Sequence, residues 1–188
     1  MQNTKGFTLA EMVISLSILA VIITLAVPSF ANLVKSNRAS ALTNNLLTSL
    51  HMARSESIRQ NRPVTMCKSS DRLHCSGRWG DGWILFSDAD RNRRIDADQG
   101  DRMLAVADAV GSSLKLSWNG FRSDNYVQFS SMGFIHSNNG TFKICPPDND
   151  VRQARAVIIN RVGRARVSSD RDNDGLHEDA RGKPLVCP

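Results

Sequence analysis

The chain has 188 residues, with 24 Lys and Arg against 18 Asp and Glu, a net charge of +6 and a pI near 9.5. Beyond an apolar N-terminal segment, this length leaves room for one modest hydrophobic core. The basic balance fits an anionic partner, but only local clustering of charge would make that specific. No G-x-S-x-G elbow, P-loop, G-x-G-x-x-G or H-E-x-x-H occurs, so nothing in the sequence points to an enzyme. Zinc is disfavoured as well, because the Cys form no C-x-x-C pair and His51, His74, His136 and His177 are scattered.

The first element is the run that follows Lys5, from Phe7 through Val27 to Phe30, rich in Leu, Ile and Val. It approaches the roughly 20 apolar residues that span a bilayer. Glu11 lies one turn into it. A carboxylate at that depth costs about 2.5–3.5 kcal/mol on insertion scales and demands a reason. A cleaved secretory signal would use Lys5 and the small residues near Ala26 and Ala31. A plain anchor would account for the length and leave Glu11 with no partner inside its own helix.

Residues 29–61 should continue the helix into water. Leu33, Leu42, Leu46, Leu50 and Ala53 share one stripe, with Lys35, Arg38, Arg54 and Arg59 mostly elsewhere. Pro63 should end the helix, and Pro28 should kink it or loosen one turn. A helix over about 8–61 would be roughly 80 Å long at ~1.5 Å per residue.

Short strands are expected at 64–67, 83–87, 102–106, 114–118, 126–130, 141–145, 156–160 and 164–168, punctuated by Gly77, Gly100, Gly120, Gly140 and Gly163. The expected class is α+β, one long N-terminal helix packed on an antiparallel β-sheet head and covering one sheet. Trp79, Trp83, Phe86 and Phe129 fall in strand patterns and are expected in the core. Cys67, Cys75, Cys145 and Cys187 all follow the apolar run, which reads as two disulfides of three connectivities. Cys67–Cys75 and Cys145–Cys187 is the preferred pairing, the second tying the C-terminus to the body.

Three charged stretches carry chemistry. The first, residues 88–96, has oxygen ligands at alternate positions, but Arg93 occupies the place of a loop Gly and further Arg intrude, which argues against calcium. The second, residues 152–171, contains Arg152, Arg155, Arg161, Arg164, Arg166 and Arg171, no Lys, and Asp170 as its one acid. Guanidinium forks suit phosphate. On a strand after a turn at Gly163, Arg164 and Arg166 share a face about 7 Å apart, comparable to successive phosphates of one DNA strand. Arg161 in the turn would add a third contact. The competing use is a charged edge strand that discourages sheet-to-sheet aggregation. The third stretch, Asp170-Arg171-Asp172-Asn173-Asp174-Gly175-Leu176-His177-Glu178, approaches a D-x-D-x-D-G calcium loop, with Asp170, Asp172, Asp174 and Glu178 as candidate ligands. It lacks the terminal bidentate Glu, since Arg181 stands there. A polar loop leading to Cys187 is the plainer alternative.

Gly6-Phe7-Thr8-Leu9-Ala10-Glu11 resembles the processing site of type IV pilins and pseudopilins. In that family a leader ending in Gly is removed by a prepilin peptidase, and the next residue becomes the methylated N-terminus. The resemblance implies cleavage between Gly6 and Phe7 and an assembly role for Glu11, whose carboxylate would meet the N-terminal amine of a neighbouring subunit. Ala10 departs mildly from the usual aliphatic residue, and Pro28 stands where pilin helices commonly carry Pro. The blocks 50–61 with 64–67, 79–88, 131–134, 140–145 and 163–166 are similar to the GspH/FimT (FimU-like) minor pilins, in the right order. Residues 1–6 would then be the leader, 7–30 the membrane and polymerisation helix, 31–62 its amphipathic half and 63–188 the head.

The implied protein is a minor pilin that primes pilus assembly near the tip, in contact with other minor and major pilins. It would be held in the inner membrane with a periplasmic head before entering the fibre. Arg161-x-x-Arg164-x-Arg166 resembles the G-R-x-R signature of FimT proteins that bind double-stranded DNA for uptake in natural transformation. A type II secretion pseudopilin is the alternative within the architecture. A membrane-anchored periplasmic enzyme or calcium-dependent adhesin is the alternative outside it.

Overall fold

The computed structural model describes residues 6, 8–135 and 138–187. Lys5, Phe7 and His136 lie outside the described residues, and with them the Phe7 side of the expected processing site. Leu9–Arg59 form one helix, α1, which continues through Pro28 although that residue cannot donate to the carbonyl one turn back.

The chain divides into two compact units, 1–37 and 38–188. In the first, α1 is long and apolar enough to cross a membrane. Its start corrects one expectation, because Glu11 does have a partner in its own helix. The Glu11 carboxylate accepts from the Thr8 N–H (2.8 Å) and hydroxyl (2.9 Å), and the Glu11 N–H donates to Thr8 Oγ1 (3.3 Å). This is a reciprocal capping box, T-x-x-E, satisfying donors that every helix start leaves open.

In the second unit the buried positions of α1 are Ala39, Thr43, Leu46, Leu50, Ala53 and Ser57, alternating steps of four and three as one helical stripe requires. Thr43 and Ser57 occupy that stripe without orphaned hydroxyls, since each donates to a carbonyl of the preceding turn (2.7 Å). Leu33, expected on the stripe, is 55% exposed and lies in the first unit. The helix ends at Asn61 in the left-handed region (φ 51°), with Asn61 N–H donating to the Ile58 carbonyl and Arg62 N–H to that of Ser57. That is a Schellman stop, and Pro63 follows it.

All eight expected strands are present: β1 Val64–Lys68, β2 Trp83–Ser87, β3 Met103–Ala107, β4 Lys115–Gly120, β5 Tyr126–Phe129, β6 Gly140–Cys145, β7 Arg155–Ile159 and β8 Ala165–Val167. They form two antiparallel four-stranded sheets, ordered β3-β2-β1-β5 and β4-β6-β7-β8. The fold class is the expected one; the division into two sheets is new. Alternate residues of both sheets, including Val64, Met66, Trp83, Leu85, Trp118, Phe142, Val157 and Ile159, join the α1 stripe in one core. Trp79 sits there from a 3-10 turn, edge-on to Phe142 at 4.8 Å. Trp83 Nε1 donates to Ser49 Oγ of α1 (3.1 Å).

The other face of the first sheet is also buried, by Cys67, Ile84 and Phe86. Both preferred disulfides are formed, Cys67–Cys75 and Cys145–Cys187. The latter holds the C-terminal segment on the second sheet, with Leu185 packed against Ala154 and Ala156.

Candidate functional site

β7 and β8 are joined by a tight turn over 160–164, and β8 is the edge of its sheet. Asn160 closes the turn twice. Its side-chain oxygen accepts from Arg164 N–H (2.9 Å), and its N–H donates to the Arg164 carbonyl (3.1 Å). Gly163 has φ +75°, a region that favours glycine, and a Cβ there would collide with the carbonyl oxygen of Gly133. That carbonyl also accepts from Arg54 Nε of α1 (3.2 Å), while Ile135 N–H donates to the Arg161 carbonyl (2.9 Å). The turn is thereby fixed to the 130–135 loop and to the helix.

Arg161, Arg164 and Arg166 are exposed on this support. Arg166 lies opposite Ile158, and Arg164, two residues earlier, continues the same side of the strand. Among the described residues no carboxylate pairs with any of the three. Three neighbouring guanidiniums left to water form a cationic edge able to grip an extended anion.

Arg152 and Arg155, expected in the same group, are not brought to it. They sit at the far end of β7, with Arg155 about 14 Å from Ile159 at ~3.4 Å per residue. Arg155 is half-buried on the side of Val157 and Ile159, and its guanidinium donates to the carbonyls of Ala154 (2.8 Å) and Arg152 (3.3 Å). Burial pushes its pKa down. Arg155 therefore serves the fold, and Arg152 is exposed in a 3-10 turn away from the cationic edge. Conversely Arg54, Gly133 and Asn160 were missed as positioning residues. The signal was present, since they fall in or beside the sequence blocks that carry the resemblance, but their convergence on one turn is not written in any local pattern.

The two acidic stretches differ. Asp88 is fully buried and accepts from Thr65 Oγ1 (2.6 Å), Gln128 Nε2 (2.9 Å) and the Arg93 N–H (3.2 Å). Burial holds its carboxyl above the ordinary value despite these donors. Asp101 accepts from the N–H groups of Ala89 (3.0 Å) and Asp96 (3.3 Å). Asp88, Asp90 and Asp101 approach closely enough to chelate, yet the buried pair is taken up by these donors. In the later loop, oxygens of Asp170, Asp172 and Asp174 all lie within 4.8 Å of one another, and the buried Glu178 carboxylate accepts from Arg171 N–H (2.8 Å).

Comparison with known proteins places this framework. The family described as type II transport protein GspH matches residues 42–163, and the prokaryotic N-terminal methylation motif matches residues 1–27. No curated protein matches in sequence. The type IV minor pilin FimU of Pseudomonas aeruginosa PAO1 superimposes with a TM-score of 0.55 at 20% identity, covering 71% of this chain and 90% of FimU. A second crystal form of FimU gives 0.52 at 20% identity, with 69% and 92% covered. The minor pseudopilin EpsH of the Vibrio cholerae type 2 secretion system gives 0.48 at 14% identity, with 69% and 95% covered. With the methylation motif at its start and the GspH match over most of its head, the chain belongs to the GspH family of type II transport proteins.

Proposed function

We propose that this protein is a minor pilin of the type IV pilus that helps prime assembly near the tip and carries a DNA-binding edge used in natural transformation. It is held by α1 in the inner membrane with the head in the periplasm, is cleaved after Gly6 by the prepilin peptidase, and then enters the fibre beside other pilins. The observation that carries the DNA reading is the cluster of Arg161, Arg164 and Arg166, exposed and unpaired among the described residues, on a turn fixed by Gly163 and Asn160.

Three guanidiniums around a turn and its edge strand suit a run of phosphates and offer nothing shaped to read base edges. Binding is therefore weak, salt-sensitive and indifferent to sequence. Repetition of such sites along a fibre raises the effective affinity. The test is duplex-DNA binding by the full-length protein in detergent micelles. Replacing Arg161, Arg164 and Arg166 together by Gln should weaken binding at least tenfold without lowering Tm, and unchanged binding would sink the assignment.

Glu11 carries the assembly half of the proposal. Glu11→Ala loses the carboxylate that caps α1 and that would meet a neighbour's N-terminal amine. Membrane insertion and head folding should be unchanged while incorporation into sheared pili falls; normal incorporation would reduce α1 to a plain anchor. The description of the matching family favours a second reading, a type II secretion pseudopilin. A deletion strain that loses transformability but still secretes its exported proteins supports the pilus, and the reverse supports the secretion system.

A further inference from the structure

We infer that the loop between β8 and the C-terminal disulfide is a calcium site formed by Asp170, Asp172, Asp174 and Glu178. The spacing places carboxylates at the first, third, fifth and ninth positions of a D-x-D-x-D-G loop, with Gly175 at the sixth and φ +86°. Oxygens of the three Asp already lie within 4.8 Å of one another, the span that a single cation with bonds of about 2.4 Å bridges.

Three close carboxylates alone would prove nothing, since acidic loops are common on surfaces. What points to a ligand is a pair of oxygens left without any hydrogen-bond partner among the described residues. Glu178 is only 6% exposed; its Oε1 accepts from Arg171 N–H inside the loop, and its Oε2 is buried and unpartnered. Asp170 repeats the pattern, with Oδ2 accepting from Gly175 N–H (3.0 Å) and Oδ1 buried without a partner. A buried carboxylate oxygen with no donor is costly, and folded proteins rarely leave one so. The contrasting pair, Asp88 and Asp101, is the same chemistry with its buried oxygens supplied with donors.

Four carboxylates on an irregular loop suit calcium, which takes 6–8 oxygens at 2.3–2.6 Å, better than magnesium, which demands a tight octahedron. Glu178 stands outside the closely spaced trio and at the ninth position, which commonly reaches the ion through water. Arg181 replaces the bidentate Glu of the twelfth position, so affinity belongs with extracellular modules, at Kd of about 10⁻⁴–10⁻³ M. This site stands independently of the DNA-binding proposal.

The test is calorimetric titration and thermal denaturation of chelator-treated full-length protein in detergent. Calcium chloride should give one binding event in that range and raise Tm by a few degrees at ten times Kd. The Asp172→Asn/Asp174→Asn variant should keep the calcium-free Tm. Both residues are exposed, and the amide oxygen can still accept the N–H groups of Asp174 and Leu176. It should bind calcium at least tenfold more weakly and lose the shift. Absence of heat and shift in the parent protein would overturn the site. So would an undiminished response in the variant, or an equal response to magnesium chloride.

Discussion

Arg155 and the Arg161, Arg164, Arg166 trio belong to one hairpin and one residue type, yet they do different work. Arg155 faces the side of Val157 and Ile159, is half-buried, and turns its Nη1 to the carbonyls of Ala154 and Arg152. The trio lies around the turn and on the edge strand, where among the described residues no carboxylate claims it. An arginine count along 152–171 treats these as equivalent. Burial and backbone hydrogen bonds separate them, and a phosphate is met by the fork that is exposed.

That contrast can be broken by substitution. The largest effect on DNA should come from the Arg161→Gln, Arg164→Gln, Arg166→Gln variant, with affinity down at least tenfold and Tm unchanged. Gly163→Ala should follow, because it forces a side chain into left-handed φ and against the Gly133 carbonyl. A stability loss of about 1–3 kcal/mol in denaturant unfolding is expected, with weaker DNA binding as the turn shifts. Arg155→Gln should reverse the pattern. Losing a charged donor from two carbonyls should cost about 1 kcal/mol of stability, while DNA affinity changes by less than about twofold. If Arg155→Gln weakened DNA binding as much as the triple change, the distinction between the two groups would collapse.

Much of the fold was readable because it rests on local periodicity. The eight strands were legible from alternation and Gly punctuation, with bounds off by a residue or two, as in β3, expected at 102–106 and found at Met103–Ala107. The division into two sheets was not, because β5 pairs with β1 across some 60 residues of intervening chain and strand patterns do not name their partners. Leu33 shows the limit of helical periodicity. It has the right residue type, but it lies in the unit that precedes the head. Glu11 shows another, since the T-x-x-E box that caps the helix lies at the start of an apolar run whose periodicity does not mark it.

The site was legible in its residues and obscure in its support. Gly163 and the exposed Arg of β8 carry recognisable spacing, whereas Arg54 comes from α1 and reaches Gly133, 79 positions away. The acidic stretches divide in the same way. The intruding Arg93 argues in sequence against a cation loop in the first, whereas the unpartnered oxygens of Asp170 and Glu178 depend on side-chain placement that no local pattern encodes.

The most direct test of the cationic edge is the salt dependence of duplex-DNA affinity for the full-length protein and its triple Gln variant. If three phosphates are neutralised by Arg161, Arg164 and Arg166, the slope of log K against log salt should be shallower by about 2.7 in the variant, at about 0.9 per contact. Parallel slopes for the two proteins would contradict the claim that these side chains hold the DNA.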